Sequence, residues 1–203
     1  MNDLAAEIRT NADAISRLWK RVYETLKHRG RSKKDREVWS SACEEFHRCF
    51  PMLFFPDGPE RWAAFLNGDS SEINTVITFL EVDPWFFRSG YMKQTIWDKL
   101  KKLVLTSKDE RRLEAVAARY LHKRAQREFW HMARYMRTRG SEAFWEAMEA
   151  LASRHTDELG LKASWLVLAK RNLPVRNLIG YEFLRVKYES GYVPKLWFSC
   201  DKR

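Results

Sequence analysis

Apolar side chains recur at intervals of three and four residues from the beginning of this chain. The first such segment runs from Asp3 to about Arg29, with periodic positions at Leu4, Ile8, Ile15, Leu18, Trp19, Val22 and Leu26. This spacing places apolar groups along one side of an α-helix, which must then be buried against other elements. Further segments of about ten to twenty residues follow, separated by short stretches that contain Gly or Pro. The pattern predicts successive helices joined by short loops.

The composition favours helices over strands and excludes disorder. Only eight Gly and six Pro occur in 203 residues, and the richest β-branched run is the short stretch 73–78. Aromatic residues make up 14% of the chain, too much apolar surface to leave in water. We therefore predict an all-α fold, either helical hairpins stacked as a repeat or an irregular helical bundle. The chain is expected to form a single domain, 1–203, or an N-terminal helical part, 1–82, packed on a basic helical-repeat part, 83–203.

Capping residues indicate where helices begin. Ser32 lies three residues before Asp35, and Thr106 lies three before Asp109, which is the spacing of reciprocal capping at a helix start. Ser107 with Glu110 has the same spacing and is an alternative cap for the second of these helices. Pro51 is expected to break the second helix, because proline lacks the N–H that a helix interior needs.

The helical pattern that begins at Thr106 is unusually long. It runs to Arg139, well beyond the usual length of about 11 to 12 residues. We therefore expect a kink or break near Ala125 and Gln126.

One short motif resembles a known repeat family. Residues 156–168 read TDELGLKASWLVL, in which Asp157 is followed by Leu161 and Lys162 and then by small residues. This order resembles the loop Asp, Val-Arg and small-residue pattern that opens the second helix of HEAT-like repeats, with Leu161 and Lys162 replacing Val and Arg. The resemblance covers about one repeat, around residues 141–171. It implies a curved helical stack, an architecture used mostly for scaffolds and binding surfaces and in a few proteins for nucleic acid.

The positive charge of the chain is concentrated in its second half. Residues 1–100 contain 15 Lys and Arg and 15 Asp and Glu, whereas residues 101–203 contain 22 and 12. From Lys99 to Arg139 there are 13 basic residues against four acidic ones. Such segregated charge indicates a polyanionic partner.

Most of these basic residues would share one side of a single helix. With about 100° of rotation per residue, they fall within an arc of roughly 100° that also contains one aromatic side chain. The predicted nucleic-acid-binding set is Lys108, Arg112, Arg119, Lys123, Arg127, Trp130, Arg134 and Arg137. Lys and Arg along such a face would follow a phosphate backbone without reading bases, and Trp130 would stack on a base or beneath an Arg. The expected partner is therefore nucleic acid or a nucleoprotein complex, bound independently of base sequence. A face that is merely solvated, or one that binds an acidic protein, remains an alternative.

A second basic cluster crosses the first helix junction. Residues 27–34 read KHRGRSKK and contain no acid. The cluster is interpreted either as an exposed loop with cations near a helix C-terminus or, if it lies beside the long basic face, as part of one continuous surface.

The candidate catalytic and metal-binding residues do not have the spacing that such sites require. Cys43, His47 and Cys49 offer ligand atoms, but Cys49 lies six residues from Cys43 and no fourth ligand is evident. Glu128 and His131 form only half of a di-iron carboxylate motif. No nucleophile elbow or phosphate loop occurs. We therefore predict a protein that is not an enzyme and has no cofactor or metal.

The segment 83–91 contains four aromatic residues around a proline entry and a glycine exit. HEAT-like DNA glycosylases use an acidic residue beside aromatic residues to hold a base that has been rotated out of the DNA helix. None of their sequence pattern occurs in this chain. We interpret the segment as an aromatic plug capped by Asp83 at a helix start.

The main rival to nucleic-acid binding is a protein-interaction scaffold. Its anchors would be exposed aromatics near Trp85, Phe86 and Phe87, or near Trp197 and Phe198. Three cysteines without a secretory leader indicate free thiols and the cytoplasm, and no apolar run reaches the length of about 18 residues that a membrane span needs.

Overall fold

The computed structural model describes residues 4–123, 128–153 and 158–171, and every regular element in these ranges is a helix. The predicted all-α class is therefore confirmed for this part of the chain. The helices of the first half are α1 (Leu4–Leu26), α2 (Lys33–Leu53), α3 (Pro59–Leu66), α4 (Ile73–Val82) and α5 (Ser89–Leu100). Those of the second half are α6 (Ser107–Tyr120), α7 (Glu128–Arg139), α8 (Glu142–Ala152) and α9 (Glu158–Lys170).

Helix α2 begins where the capping residues predict and ends later than expected. The Ser32 side chain accepts a hydrogen bond from the Asp35 N–H at 3.0 Å, which satisfies a free donor of the first turn. Pro51, however, lies inside the helix, which continues to Leu53. The expected break at Pro51 is therefore wrong, because only one turn follows the proline and little helical bonding is lost.

Aromatic packing joins the first two helices to the loop before α5. Trp19 of α1 stacks on Phe87 with ring centroids 4.0 Å apart, and Phe46 of α2 contacts both rings. Phe86 is buried, and Trp85 is the aromatic residue of this loop that projects into solvent, with 73% of its surface exposed. Two of the three predicted aromatic anchors therefore belong to the packed interior.

Helices α6 and α7 run antiparallel. Arg139 at the end of α7 binds Glu110 near the start of α6 at 3.3 Å, and Glu128 at the start of α7 lines the same cavity as Tyr120 at the end of α6. The segment from Thr106 to Arg139 is thus two helices, and the expected break is confirmed. Ala125 and Gln126 themselves lie outside the described residues.

Helix α9 contains a glycine in its first turn. The helix starts at Glu158 and Gly160 is buried within it, so that glycine does not mark a boundary. Lys162 is also buried, and it donates hydrogen bonds to the carbonyl oxygens of Leu121, at 3.1 Å, and Lys123. Through these bonds α9 holds the C-terminal end of α6.

The buried apolar side chains of the described helices form one connected core that reaches from Ile8 to Ala169. Trp97 and Tyr135 are among its largest fully buried members. No described helix has both the length and the apolar composition needed to cross a membrane.

Candidate nucleic-acid interface

The solvent-facing side of α6 carries exposed cations. Helix α6 is fixed at its start by the predicted capping box, in which Asp109 N–H donates to Thr106 Oγ1 and Thr106 N–H donates to Asp109, each at 3.2 Å. Lys108, Arg111 and Arg119 are exposed, and all three lie within about 80° of one another at 100° per residue. No ion pair to a described residue is formed by any of them. We call these three residues the α6 outer face.

Arg112 does not belong to this exposed surface. Its Nε and Nη2 donate to the two carboxylate oxygens of Glu81 on α4 at 2.8 and 2.7 Å, and its Nη1 donates to Asn74 at 2.9 Å. Hydrogen bonding to Glu81 raises the pKa of the guanidinium above its already high ordinary value. The prediction that Arg112 is available to a partner is therefore wrong, because it binds α6 to α4.

Lys123 is exposed but also engaged. Its side chain is 54% exposed, and its ammonium donates to Asp83 Oδ2. The position just after α6 brings it to Asp83, at the end of α4. A nucleic acid would therefore have to compete with an existing ion pair at this residue.

The residues predicted on α7 lie on the side of that helix that is turned away from α6. Arg134 and Arg137 are exposed, and at 100° per residue they point roughly 100° or more from Glu128, Tyr135 and Arg139, which face α6. They therefore do not belong to the same helix face as the α6 cations.

Trp130 is half-buried and packs against Phe129 and Trp165, with ring centroids 4.8 and 5.9 Å away. It therefore contributes to the contact between α7 and α9 more than to an open stacking surface. Arg127 lies outside the described residues.

The single basic arc was wrong because it assumed one continuous helix. The break between α6 and α7 reverses the chain direction, so the arc is divided between two antiparallel helices. Arg111 was missed because it falls about 60° outside the arc calculated for a continuous rod. Ala115, which lies on the same side of α6 as Arg111, is also exposed, so this side of the helix faces the solvent.

The second basic cluster, 27–34, is exposed throughout. It forms the connection between α1 and α2, where Lys27 lies 4.8 Å from the Tyr23 ring centre and Arg29 lies 5.1 Å from that of Trp39. This cluster therefore presents cations beside aromatic faces.

Close to the end of α6, a small cavity gathers buried charged groups. Asp83, Lys93, Tyr120 and Glu128 line it together with Trp85, Lys123 and Phe129. Asp83 is the C-cap of α4, in the left-handed region at φ 52°, and not the start of a helix as the sequence indicated. Its carboxylate accepts from Lys93 of α5 and from Lys123, so it joins α4, α5 and the end of α6.

Two buried tyrosines near these charges have raised pKa values. Burial raises the pKa of Tyr120 well above its ordinary value, and the negative charge of Asp83 adds to the effect. Burial also raises the pKa of Tyr135, with a further contribution from Glu110. Both hydroxyls are therefore neutral at physiological pH.

The weak metal candidates remain apart. Cys43 and Cys49 are half-buried free thiols and His47 is exposed. His131 Nδ1 lies 2.7 Å from Asp98, on the α5 side of α7. Within the described ranges, no three His, Cys, Asp or Glu residues are placed to hold a metal ion.

Comparison of the chain with family models, curated proteins and solved structures finds no match. The functional argument therefore rests on the geometry of the chain itself.

Proposed function

We propose that this protein binds the sugar-phosphate backbone of a nucleic acid, independently of base sequence, through the α6 outer face. The observation that carries the proposal is that Lys108, Arg111 and Arg119 are exposed on one side of α6 without an ion pair to a described residue. A cation without an internal carboxylate keeps its full attraction for an external anion. The proposed action is binding, with no catalytic step, cofactor or metal.

The carboxylates around α6 are already occupied by other donors. Glu81 binds Arg112, Glu110 binds Arg139, and Glu114 accepts a hydrogen bond from the Ser141 N–H at 2.6 Å. Glu81 and Glu110 are thus paired with cations outside the outer face, and Glu114 is the one of these three acids that keeps a charge unpaired within the described residues, against three cations on that face. The local field at that surface is therefore positive, which favours a polyanion.

The length of the surface suits a phosphate chain. Lys108 and Arg119 are separated by 11 residues, or about 16 Å along the helix axis. One strand of B-DNA carries a phosphate every 3.4 Å of axis, so the outer face would extend along about five phosphates. Because all three side chains are long and flexible, contacts of this type carry little sequence information.

Charge reversal with a matched control tests the proposal. The triple variant Lys108→Glu, Arg111→Glu, Arg119→Glu should bind single- or double-stranded DNA or RNA much more weakly in a filter-binding assay. The control is Arg9→Glu, Arg17→Glu, Arg48→Glu, which makes the same change in net charge at exposed positions on α1 and α2. If both variants lost affinity equally, the effect would be due to net charge alone, which would contradict the proposed interface.

We also propose that α6 to α9 stack as HEAT-like hairpins and that the protein acts in the cytoplasm. The hairpin arrangement is supported by the antiparallel α6 and α7 and by the close packing of α8 on α9, where Lys170 binds Glu149 at 3.2 Å.

The alternative function, a scaffold with aromatic anchors, keeps Trp85 as its exposed residue near α5. Trp197 and Phe198, its other anchors, lie outside the described residues. A partner protein captured at high salt after nuclease treatment, and lost on Trp85→Ala, would favour that alternative.

A further inference from the structure

The cavity beside α6 contains a buried carboxylate oxygen that has no partner within the described part of the chain. Glu128 is only 5% exposed, and its Oε2 lies in the interior without a hydrogen bond to any described residue. Lys93 lies near the other oxygen of Glu128, with its Nζ 3.9 Å from Oε1. A buried carboxylate oxygen left unpaired is costly, and the cavity that it lines measures about 50 Å³. Both facts indicate that a donor from outside completes the site.

The groups around the cavity favour a positively charged donor. Asp83 and Glu128 supply two carboxylates, while Lys93 is held by Asp83. Glu128 Oε2, which has no partner among the described residues, can only accept a hydrogen bond, and a charged donor binds a carboxylate more strongly than a neutral one does. Trp85, Tyr120 and Phe129 present aromatic surface to the same space, and aromatic faces attract cations.

The size of the cavity limits the ligand to a small group. A water molecule requires about 10–15 Å³ of such space, so 50 Å³ accommodates a group of about three to five non-hydrogen atoms. That is the size of a guanidinium or a short alkylammonium head, and it is too small for a nucleobase. Trp85, which is exposed, also lines the cavity and would contact the bound group.

We propose that this cavity is a binding site for a guanidinium or alkylammonium head group, which donates to Glu128 Oε2 beneath Trp85 and takes the place of the Lys123 ammonium. The displacement follows from the charges. Asp83, Glu128, Lys93 and Lys123 together are neutral, so an added cation is balanced only when Lys123 moves away from Asp83. Lys123 is free to do so because its side chain is 54% exposed, whereas that of Lys93 is 3% exposed.

The proposal predicts opposite effects for two substitutions. Glu128→Gln keeps the shape of the side chain but removes its charge, and it should weaken cation binding by about tenfold or more. Lys123→Ala removes the competing ammonium and should strengthen binding. Glu60→Gln, on α3, is the matched control and should leave affinity unchanged.

A third variant fills the space at the acceptor itself. A Cβ at Gly90 would lie 3.2 Å from Glu128 Oε2, whereas one at Gly30 has no atom within 4 Å. Gly90→Ala should therefore weaken binding while Gly30→Ala does not. Since alanine is favoured over glycine in a helix, loss of folding is not the expected cause, and thermal unfolding of each variant verifies this.

The probes are methylguanidinium and propylammonium chloride, with sodium chloride at equal concentration as the ionic control. N-acetylarginine amide distinguishes a peptide side chain from a free small cation as the source of the head group. Binding is followed by the indole ¹H–¹⁵N signal of Trp85, which is assigned by comparison with Trp85→Phe.

Saturable shifts support the proposal if they give a weaker affinity for Glu128→Gln and a stronger affinity for Lys123→Ala. Shifts that sodium reproduces, or an affinity that Glu128→Gln leaves unchanged, overturn it. Nucleic-acid binding by the α6 outer face is measured separately, so either proposal can fail alone.

Discussion

Arg112 and Glu81 form a two-point ion pair between α6 and α4, with N–O distances of 2.8 and 2.7 Å. Their side chains are 23% and 31% exposed, so water only partly screens the pair. In a double-mutant cycle with Arg112→Ala and Glu81→Ala, we expect a coupling of about 1–2 kcal/mol in the free energy of unfolding. Arg111→Ala, one residue away but exposed, should change stability by less than about 0.5 kcal/mol. Equal costs for the two arginines would contradict the assigned roles.

Lys162 is expected to stabilise the fold through the end of α6. Its buried ammonium donates to two carbonyl oxygens there and to Glu158 at 2.8 Å. Lys162→Met leaves those carbonyls without a donor and should cost about 1–3 kcal/mol in urea unfolding. Lys170→Met removes a surface pair with Glu149 and the contact of the ammonium with the Trp145 ring, 5.3 Å from its centre, and should cost less than about 1 kcal/mol. A stable Lys162→Met variant would show that water replaces the ammonium.

Gly140 permits the close junction of α7 and α8. A Cβ at this position would lie 2.8 Å from the backbone oxygen of Met136 and 2.9 Å from Trp145 Nε1. Gly140→Ala should therefore lower the free energy of unfolding by about 1–3 kcal/mol or more. Gly30→Ala meets no atom within 4 Å and serves as the control in thermal unfolding. If both alanines are tolerated equally, the junction is looser than described.

Because of Tyr120, we expect the folded protein to lose stability at alkaline pH. Burial, together with the charge of Asp83, raises its pKa in the folded state above the value of about 10 expected when unfolded. The folded protein therefore holds this proton more tightly, and the associated stability is complete below pH 10 and lost as pH rises above it. Each affected group lowers the free energy of unfolding by up to about 1.4 kcal/mol per pH unit in that range. Tyr120→Phe should reduce the slope between about pH 10 and 11, and an unchanged slope would contradict the assignment.

Local sequence signals predicted the helix starts well. Ser32, Thr106 and Ser141 all accept hydrogen bonds from the N–H groups that helix starts leave free. These interactions join residues three positions apart, so the sequence contains both partners within one turn. Helical periodicity likewise identified the buried side of α1, where Ile8, Ile15 and Val22 are buried.

The partners of the basic residues were not predictable in the same way. Arg112 pairs with Glu81, which lies 31 residues earlier in the chain, and Lys123 pairs with Asp83, which lies 40 residues earlier. Such pairs depend on how α4 packs against α6, which no periodicity encodes. The grouping of Asp83, Lys93 and Glu128 around the cavity depends on packing in the same way, because these residues come from three separate elements.

The salt dependence of nucleic-acid binding tests the central claim most directly. Each phosphate neutralised on duplex DNA contributes about −0.9 to the slope of log affinity against log salt concentration. We expect a clearly negative slope for the unaltered protein, reduced by about two to three units when Lys108, Arg111 and Arg119 are all replaced by Ala. An affinity that does not depend on salt, or a slope that this triple variant leaves unchanged, would contradict the account.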